Sequence, residues 1–149
     1  MTLCIVRNVL NEIRSHAEAT YPEECCGLLI GREAASAVPA PRSRKTITES
    51  IRMNNAYDGP KHNRYNIDPL EFFKADRVIS QKGLTVAGIY HSHPDHPASC
   101  SRFDLEHSFP WYSYVIISVP KGHAGETMSW APREDHDSAI QEEIEILDQ

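Results

Sequence analysis

At 149 residues, 40% hydrophobic and 24% charged, the chain has the size and composition of a domain with a proper core, which excludes a disordered or fibrous protein. A formal net charge of -6 argues against a nucleic-acid backbone as partner, and no apolar run approaches the ~20 residues of a membrane helix. The start, MTLCIVRNVLNEIRSH, turns polar too early for a signal-peptide core, and adjacent Cys25 and Cys26 read as reduced, buried thiols of a cytoplasmic protein.

Ile5, Val6, Val9, Leu10, Ile13 and Ala17 recur at helical spacing, so residues 3–19 read as an amphipathic helix stopped at Tyr21 and Pro22. Residues 25–31 form an apolar run between Pro22 and Gly31, the pattern of a buried strand. Residues 34–43, rich in Ala, Pro and Ser, read as a loop or hairpin tip. Thr46, Ile47, Thr48 and Ile51 make 44–53 a strand with a polar face, and 54–63 is turn chemistry on the surface. Asp68 and Pro69 supply the N-cap and first position of a second helix, which Leu70, Phe73, Arg77, Val78 and Ile79 carry to a C-capping Gly83. Residues 84–90 and 112–119 are apolar strands, with 126–131 a weaker one. From Ser138 the chain reads as helical through Ile140, Ile144 and Leu147. With no internal repeat or linker, the expectation is an α/β (α+β) fold: one domain over 1–149, its mixed sheet flanked by helices.

The chemistry is concentrated in HSHPDHPASCSRFD, residues 91–104. In an extended chain His91 and His93 share a face and Ser92 points away. Pro94 ends the strand, Pro97 keeps the next stretch irregular, and Ser101 begins a short helix to about Ser108 that carries Asp104 one turn on. A strand end facing a helix start brings two imidazoles and a carboxylate to one point. Three protein ligands with a position left for water is what catalytic zinc requires, the pKa of that water falling to ~7. A further carboxylate must then take and redeliver protons; Glu24 is the candidate and Glu23 its rival.

Each part also has a plainer reading. Ser101-x-x-Asp104 is a helix capping box, and paired histidines occur on ordinary surfaces. His96, His107, His123 and His136 read as exposed, a second zinc among them being the alternative. Trp111 and Tyr112, at the start of a strand, read as core. It is the combination, in this order, that points to a metal site.

The spacing matches His-x-His-x(7)-Ser-x-x-Asp without a gap, and on these residues the chain resembles the JAMM (MPN-plus, JAB-domain) zinc metallopeptidases. Glu24-Cys25-Cys26-Gly27 fits the family's upstream Glu-x-Cys-Gly, which selects Glu24 over Glu23. YPEECCGLLIG, RYNIDP, VAGIYHSHPDHP and PWYSYVIISV look like the small prokaryotic members, so the likeness covers nearly the whole chain. The resemblance implies a mixed sheet between helices, similar to the cytidine deaminases. It implies zinc held by His91, His93 and Asp104, Glu24 as general base, and Ser101 donating a hydrogen bond to the oxyanion. Eukaryotic relatives cleave isopeptide bonds to ubiquitin, whereas small prokaryotic ones remove a cysteine or short extension from the C-terminal Gly of ubiquitin-like sulfur carriers. The expected partner is therefore such a carrier's C-terminal tail, not a nucleic acid or a membrane.

Rival sites fit less well. A cupin or non-haem iron site would place a Glu soon after His-x-His, and 95–100 contain none. A zinc deaminase would show His-x-Glu and Pro-Cys-x-x-Cys. A DNA-repair-associated branch of the JAMM group has Asn between the histidines and Ser-Gly after the proline, where this chain has Ser92 and Asp95-His96. The remaining alternatives are a non-catalytic MPN scaffold, although all five catalytic positions are present, and a zinc peptidase of broader specificity.

Overall fold

The computed structural model describes residues 2–33 and 44–148; the expected loop or hairpin tip at 34–43 lies outside them. In chain order the elements are β1 (Thr2–Val6), α1 (Arg7–Thr20), β2 (Cys26–Glu33), β3 (Arg44–Met53), α2 (Pro69–Gln81), β4 (Thr85–Pro94), α3 (Arg102–Glu106), β5 (Ser113–Val119), β6 (Thr127–Pro132) and β7 (Ala139–Leu147). The strands form one mixed sheet closed into a barrel, ordered β1-β3-β2-β4-β5-β6-β7. β1 is parallel to both β3 and β7, β4 is parallel to β5, and the other pairings are antiparallel. No described helix is long and apolar enough to cross a membrane.

Alternation along the strands sends side chains to two cores. Leu29 of β2 joins Leu3, Ile5, Ile47, Val115 and Ile117 in the cluster covered by Val9, Ile13 and Ala17 of α1. Leu28 and Ile30 face the other way, onto Ile89, Tyr114 and the α2 residue Ile79. The mixed sheet with helices on both faces is the architecture expected.

Two elements differ from expectation. Residues 3–6 are strand, not the first turn of α1, and α1 starts at Arg7. A short run of buried apolar residues carries no period that separates strand from helix. Here β3 and β7 pair with both edges of β1, and that settles it. The C-terminal segment is strand β7, not a helix. Ile140, Ile144 and Leu147 fit a helical face, but pairing with β6 on one side and β1 on the other overrides the local preference of this Glu-rich stretch. Buried Glu142 sits on this strand and accepts a 2.8 Å hydrogen bond from Ser129 of β6.

Locally encoded elements stand as expected. Asp68 caps α2, its Oδ1 accepting from the amides of Leu70 at 2.8 Å and Glu71 at 3.3 Å, and Gly83 follows the helix at φ 74°. The weaker strand at 126–131 is β6.

Gly27 in β2 lies opposite Tyr90 of β4. A Cβ at Gly27 would run into the Tyr90 ring and the Ile51 carbonyl oxygen. Tyr90 is fully buried and its hydroxyl is 2.7 Å from His16 Nδ1, so the ring has no room to retreat. Gly27→Ala is therefore expected to cost roughly 3 kcal/mol. A urea midpoint within experimental error of the wild type would contradict this packing.

Candidate active site

The site is assembled at the ends of β2 and β4 and the start of α3. Cys26 is paired with His91 in the antiparallel ladder, so Glu24, two residues before Cys26, comes beside His93, two residues after His91. Ser92 points away from the histidines, its Oγ accepting from the Cys25 amide at 2.8 Å while its own amide donates to the Cys25 carbonyl at 3.2 Å. These two bonds tie the chain beside Glu24 to the chain between the histidines.

His91, His93 and Asp104 converge. The two Nε2 atoms are 3.2 Å apart, His91 Nε2 is 3.3 Å from Asp104 Oδ1, and His93 Nε2 is 3.1 Å from Asp104 Oδ2. Separations of this size match the edge of a tetrahedron whose bonds are ~2.0–2.1 Å long, with each imidazole facing a different oxygen of Asp104. His93 Nδ1 is 2.8 Å from the Pro97 carbonyl, which only accepts, so that nitrogen carries a proton and Nε2 is the atom turned toward His91 and Asp104. The donor set and its spacing thus fit a divalent ion. Among the described residues no second group of His, Cys, Asp and Glu is gathered this way, and His96, His107, His123 and His136 are exposed.

The plainer reading of Ser101-x-x-Asp104 as a helix cap is present, and it is compatible with Asp104 facing the histidines. Ser101 Oγ accepts from the Asp104 amide at 3.1 Å and Asp104 Oδ2 accepts from the Ser101 amide at 3.0 Å, a complete capping box. The cap orients the carboxylate toward the histidines and leaves the Ser101 hydroxyl proton free to donate. The helix is shorter than expected, ending at Glu106.

Burial and neighbouring charge push the two carboxyls apart. Burial raises the Asp104 pKa, but His91 and His93 outweigh it and hold the group well below the usual carboxylate range. Burial lowers the His91 pKa against the pull of Asp104; for His93, contact with Asp104 overcomes burial and raises it. Glu24 is only 4% exposed, and burial lifts its carboxyl to about 8, with His93 and Arg64 lowering it and Asp104 raising it. Among the described residues Glu24 Oε1 has no hydrogen-bond partner, whereas Glu23 is exposed. Burial likewise pushes the Cys25 and Cys26 thiols up to about 11 and about 12, which makes them poor nucleophiles.

Two cavities flank the convergence point. A polar one of about 310 Å³ is lined by Glu24, Asn63, Arg64, His93, His96, Pro97, Ser99, Cys100 and Ser101. A larger, apolar one of about 770 Å³ lies beyond Asp104, walled by Tyr57, Tyr65, Ile67, Phe72, Phe103, Phe109, Trp111 and Tyr112, among others. Trp111 is therefore wall and not core: it is 61% exposed and stacks on Phe109 at 5.2 Å. It precedes β5 and stays outside the sheet. Two further residues at the site were not expected from the sequence: Tyr65, whose ring stacks on His91 at 4.4 Å, and Arg64, whose guanidinium lies 4.5 Å over Phe103. Only their place in RYNIDP hinted at them.

Residues 6–133 match the family described as prokaryotic homologs of the JAB domain. The chain belongs to this family. It is 32% identical over 120 residues to a probable TtuB-protein conjugate cleaving protease of Thermus thermophilus, covering 80% of this chain and 72% of the relative. A desampylase of Haloferax volcanii is 31% identical over 112 residues, covering 74% and 73%. A CysO-cysteine peptidase of Mycobacterium tuberculosis is 30% identical over 129 residues, covering 86% and 81%. A protein of Desulfitobacterium hafniense, solved in solution, superposes with a TM-score of 0.82 at 27% identity, covering 99% of this chain and 94% of that one. The chain is a hydrolase of the JAB type, which decides against the scaffold reading.

The raised Glu24 carboxyl has a consequence for stability. Folding lifts it from its ordinary ~4.3 to about 8, so the folded state holds the proton more tightly than the unfolded one. That contribution is complete below the ordinary value and is lost as pH rises through the folded one. In metal-free protein, Glu24→Gln should match the wild type near pH 4 and exceed it at about pH 9, by on the order of a few kcal/mol. Urea melts of both at the two pH values check this; a difference independent of pH would mean that Glu24 is solvated.

Proposed function

We propose that the chain is a zinc peptidase that hydrolyses the amide after the C-terminal Gly of a ubiquitin-like or sulfur-carrier protein. The observation that carries the reading is the buried Glu24 carboxyl, whose Oε1 has no partner among the described residues, beside the converged His91, His93 and Asp104. Relatives named for cleaving TtuB conjugates, for desampylation and for CysO-cysteine cleavage support the choice of carrier. Free thiols at Cys4, Cys25, Cys26 and Cys100 support a cytoplasmic setting.

His91, His93 and Asp104 would hold zinc, which when bound would supply Lewis acidity toward water near neutral pH and a positive charge that favours the ionised form of Glu24. Glu24 takes a proton from the attacking water and delivers it to the departing amine, a role that a carboxyl tuned near neutrality performs in both directions. The Ser101 hydroxyl, held by its capping contact, donates to the oxygen that gains negative charge. The Pro97 carbonyl fixes the His93 ring, and Tyr65 packs against His91. The apolar cavity takes the carrier's tail, whose two glycines allow the backbone to lie flat against the site.

Glu24→Gln is expected to abolish turnover, by about three orders of magnitude or more, while retaining one zinc per chain. His91→Ala should lose metal and turnover together. Metal analysis beside an intact-mass assay separates these, and equal zinc loss in both variants would make Glu24 a ligand and overturn the assigned roles.

A carrier tail with bulky residues in place of the two glycines should be cut far more slowly than the Gly-Gly tail. Similar rates on unstructured peptides of any sequence would instead mark a general peptidase.

A further inference from the structure

The proton path orients the substrate. Hydrolysis adds hydroxyl to the Gly carbonyl carbon and breaks its C–N bond, and the departing nitrogen receives the proton that Glu24 carries. That nitrogen must come within hydrogen-bonding reach of Glu24, so the group attached to it occupies the cavity that Glu24 lines. Away from His93 and Ser101, its walls include Asn63, Arg64, His96, Ser99 and Cys100.

Size and charge then limit the occupant. A volume of about 310 Å³ stands at the bottom of the range of small-ligand sites, roughly 300–1,000 Å³, and holds one or two residues. Its cation is Arg64, half-buried, with Nη1 donating to the Asn63 carbonyl at 2.8 Å and the guanidinium 4.5 Å over the Phe103 ring. Among the described residues no carboxylate forms an ion pair with it. A guanidinium stacked on a ring and anchored by one donor keeps its remaining in-plane N–H groups for a planar anion, and a carboxylate meets that fork with two parallel bonds.

We propose that Arg64 is a specificity-determining residue that binds the α-carboxylate of the departing group. The preferred substrate is then a carrier tail ending in Gly-Gly plus one amino acid, or a very short extension, with a free C-terminus. The inference rests on the proposed hydrolysis after the terminal Gly and deepens it. An isopeptide conjugate places a lysine stem and a second protein here, and offers Arg64 no carboxylate.

The test uses the full-length, zinc-loaded protein and three synthetic carrier tails. One ends in Gly-Gly-Ala with a free carboxylate, one in the same sequence as a carboxamide, and the third joins the terminal Gly to a lysine ε-amine of a peptide. The acid should exceed the carboxamide in kcat/KM by about tenfold, chiefly through KM, as expected for one charge-assisted contact at a partly open site. Arg64→Gln should bring that ratio close to one, and Arg64→Lys should keep part of it. The ratio is the readout because any change that Arg64 causes at Glu24 acts on both substrates alike. Equal rates on acid and carboxamide, a preference for the isopeptide, or a ratio unchanged in Arg64→Gln would overturn the role of Arg64 while leaving the hydrolysis standing. If the folded, zinc-loaded wild type cleaves none of the three, the proposed hydrolysis itself fails and the inference fails with it.

Discussion

Cys26 lies opposite His91 in the antiparallel ladder of β2 and β4, and each strand carries its chemistry just beyond that pair. Two residues before one member is Glu24; two residues after the other is His93. Because side chains alternate along a strand, a slip of one residue would send the histidines to the opposite face and leave Glu24 facing Ser92 or Pro94. The register is held by features of both strands. Gly27 makes room for the Tyr90 ring across the ladder, and the reciprocal bonds between Cys25 and Ser92 close its end.

Four ionisable side chains are buried in this small volume: Glu24, His91, His93 and Asp104. Burying charge is costly unless it is paired, and here the pairing is uneven. Asp104 is satisfied by two imidazoles and a backbone amide, whereas Glu24 Oε1 and His91 Nδ1 have no partner among the described residues. The environment therefore separates two chemically similar carboxyls, one held as an anion and one pushed toward its acid form. Such a separation suits the two carboxyls to different work, the anion to holding a cation and the neutral acid to exchanging a proton. The two apolar cores on either face of the sheet stabilise the arrangement against its electrostatic cost.

The segment from 54 to 68 has almost no regular structure, yet it forms one side of the site. Asn55 organises it: Nδ2 donates to the Glu24 carbonyl at 3.1 Å and the Arg64 carbonyl at 3.0 Å, while Oδ1 accepts from the amides of Tyr57 and Asn66. Rings complete the strap, with Tyr57 edge-on to Phe103, Arg64 over the same ring, and Tyr65 on His91. Side chains thus take the place of a backbone ladder. They also divide the polar cavity at Glu24 from the apolar one beyond Asp104.

What the sequence determined by itself was whatever depends on neighbours a few residues away. The cap of α2 at Asp68, the shared face of His91 and His93, the Ser101-x-x-Asp104 cap and the inward phase of Val9, Ile13 and Ala17 are local matters of periodicity and hydrogen bonding. The resemblance added the choice of Glu24, which spacing alone left open against Glu23. Tertiary structure decided the rest. Residues 3–6 and 139–147 are strands because each closes an edge of the other, and that pairing spans nearly the whole chain, beyond the reach of any local pattern. Trp111 became cavity wall and Tyr65 a neighbour of His91 for the same reason. The pKa of Glu24 is decided there too: its sequence neighbours are the same in the unfolded chain, and only burial beside His93 and Asp104 removes the water that would keep it an ordinary acid.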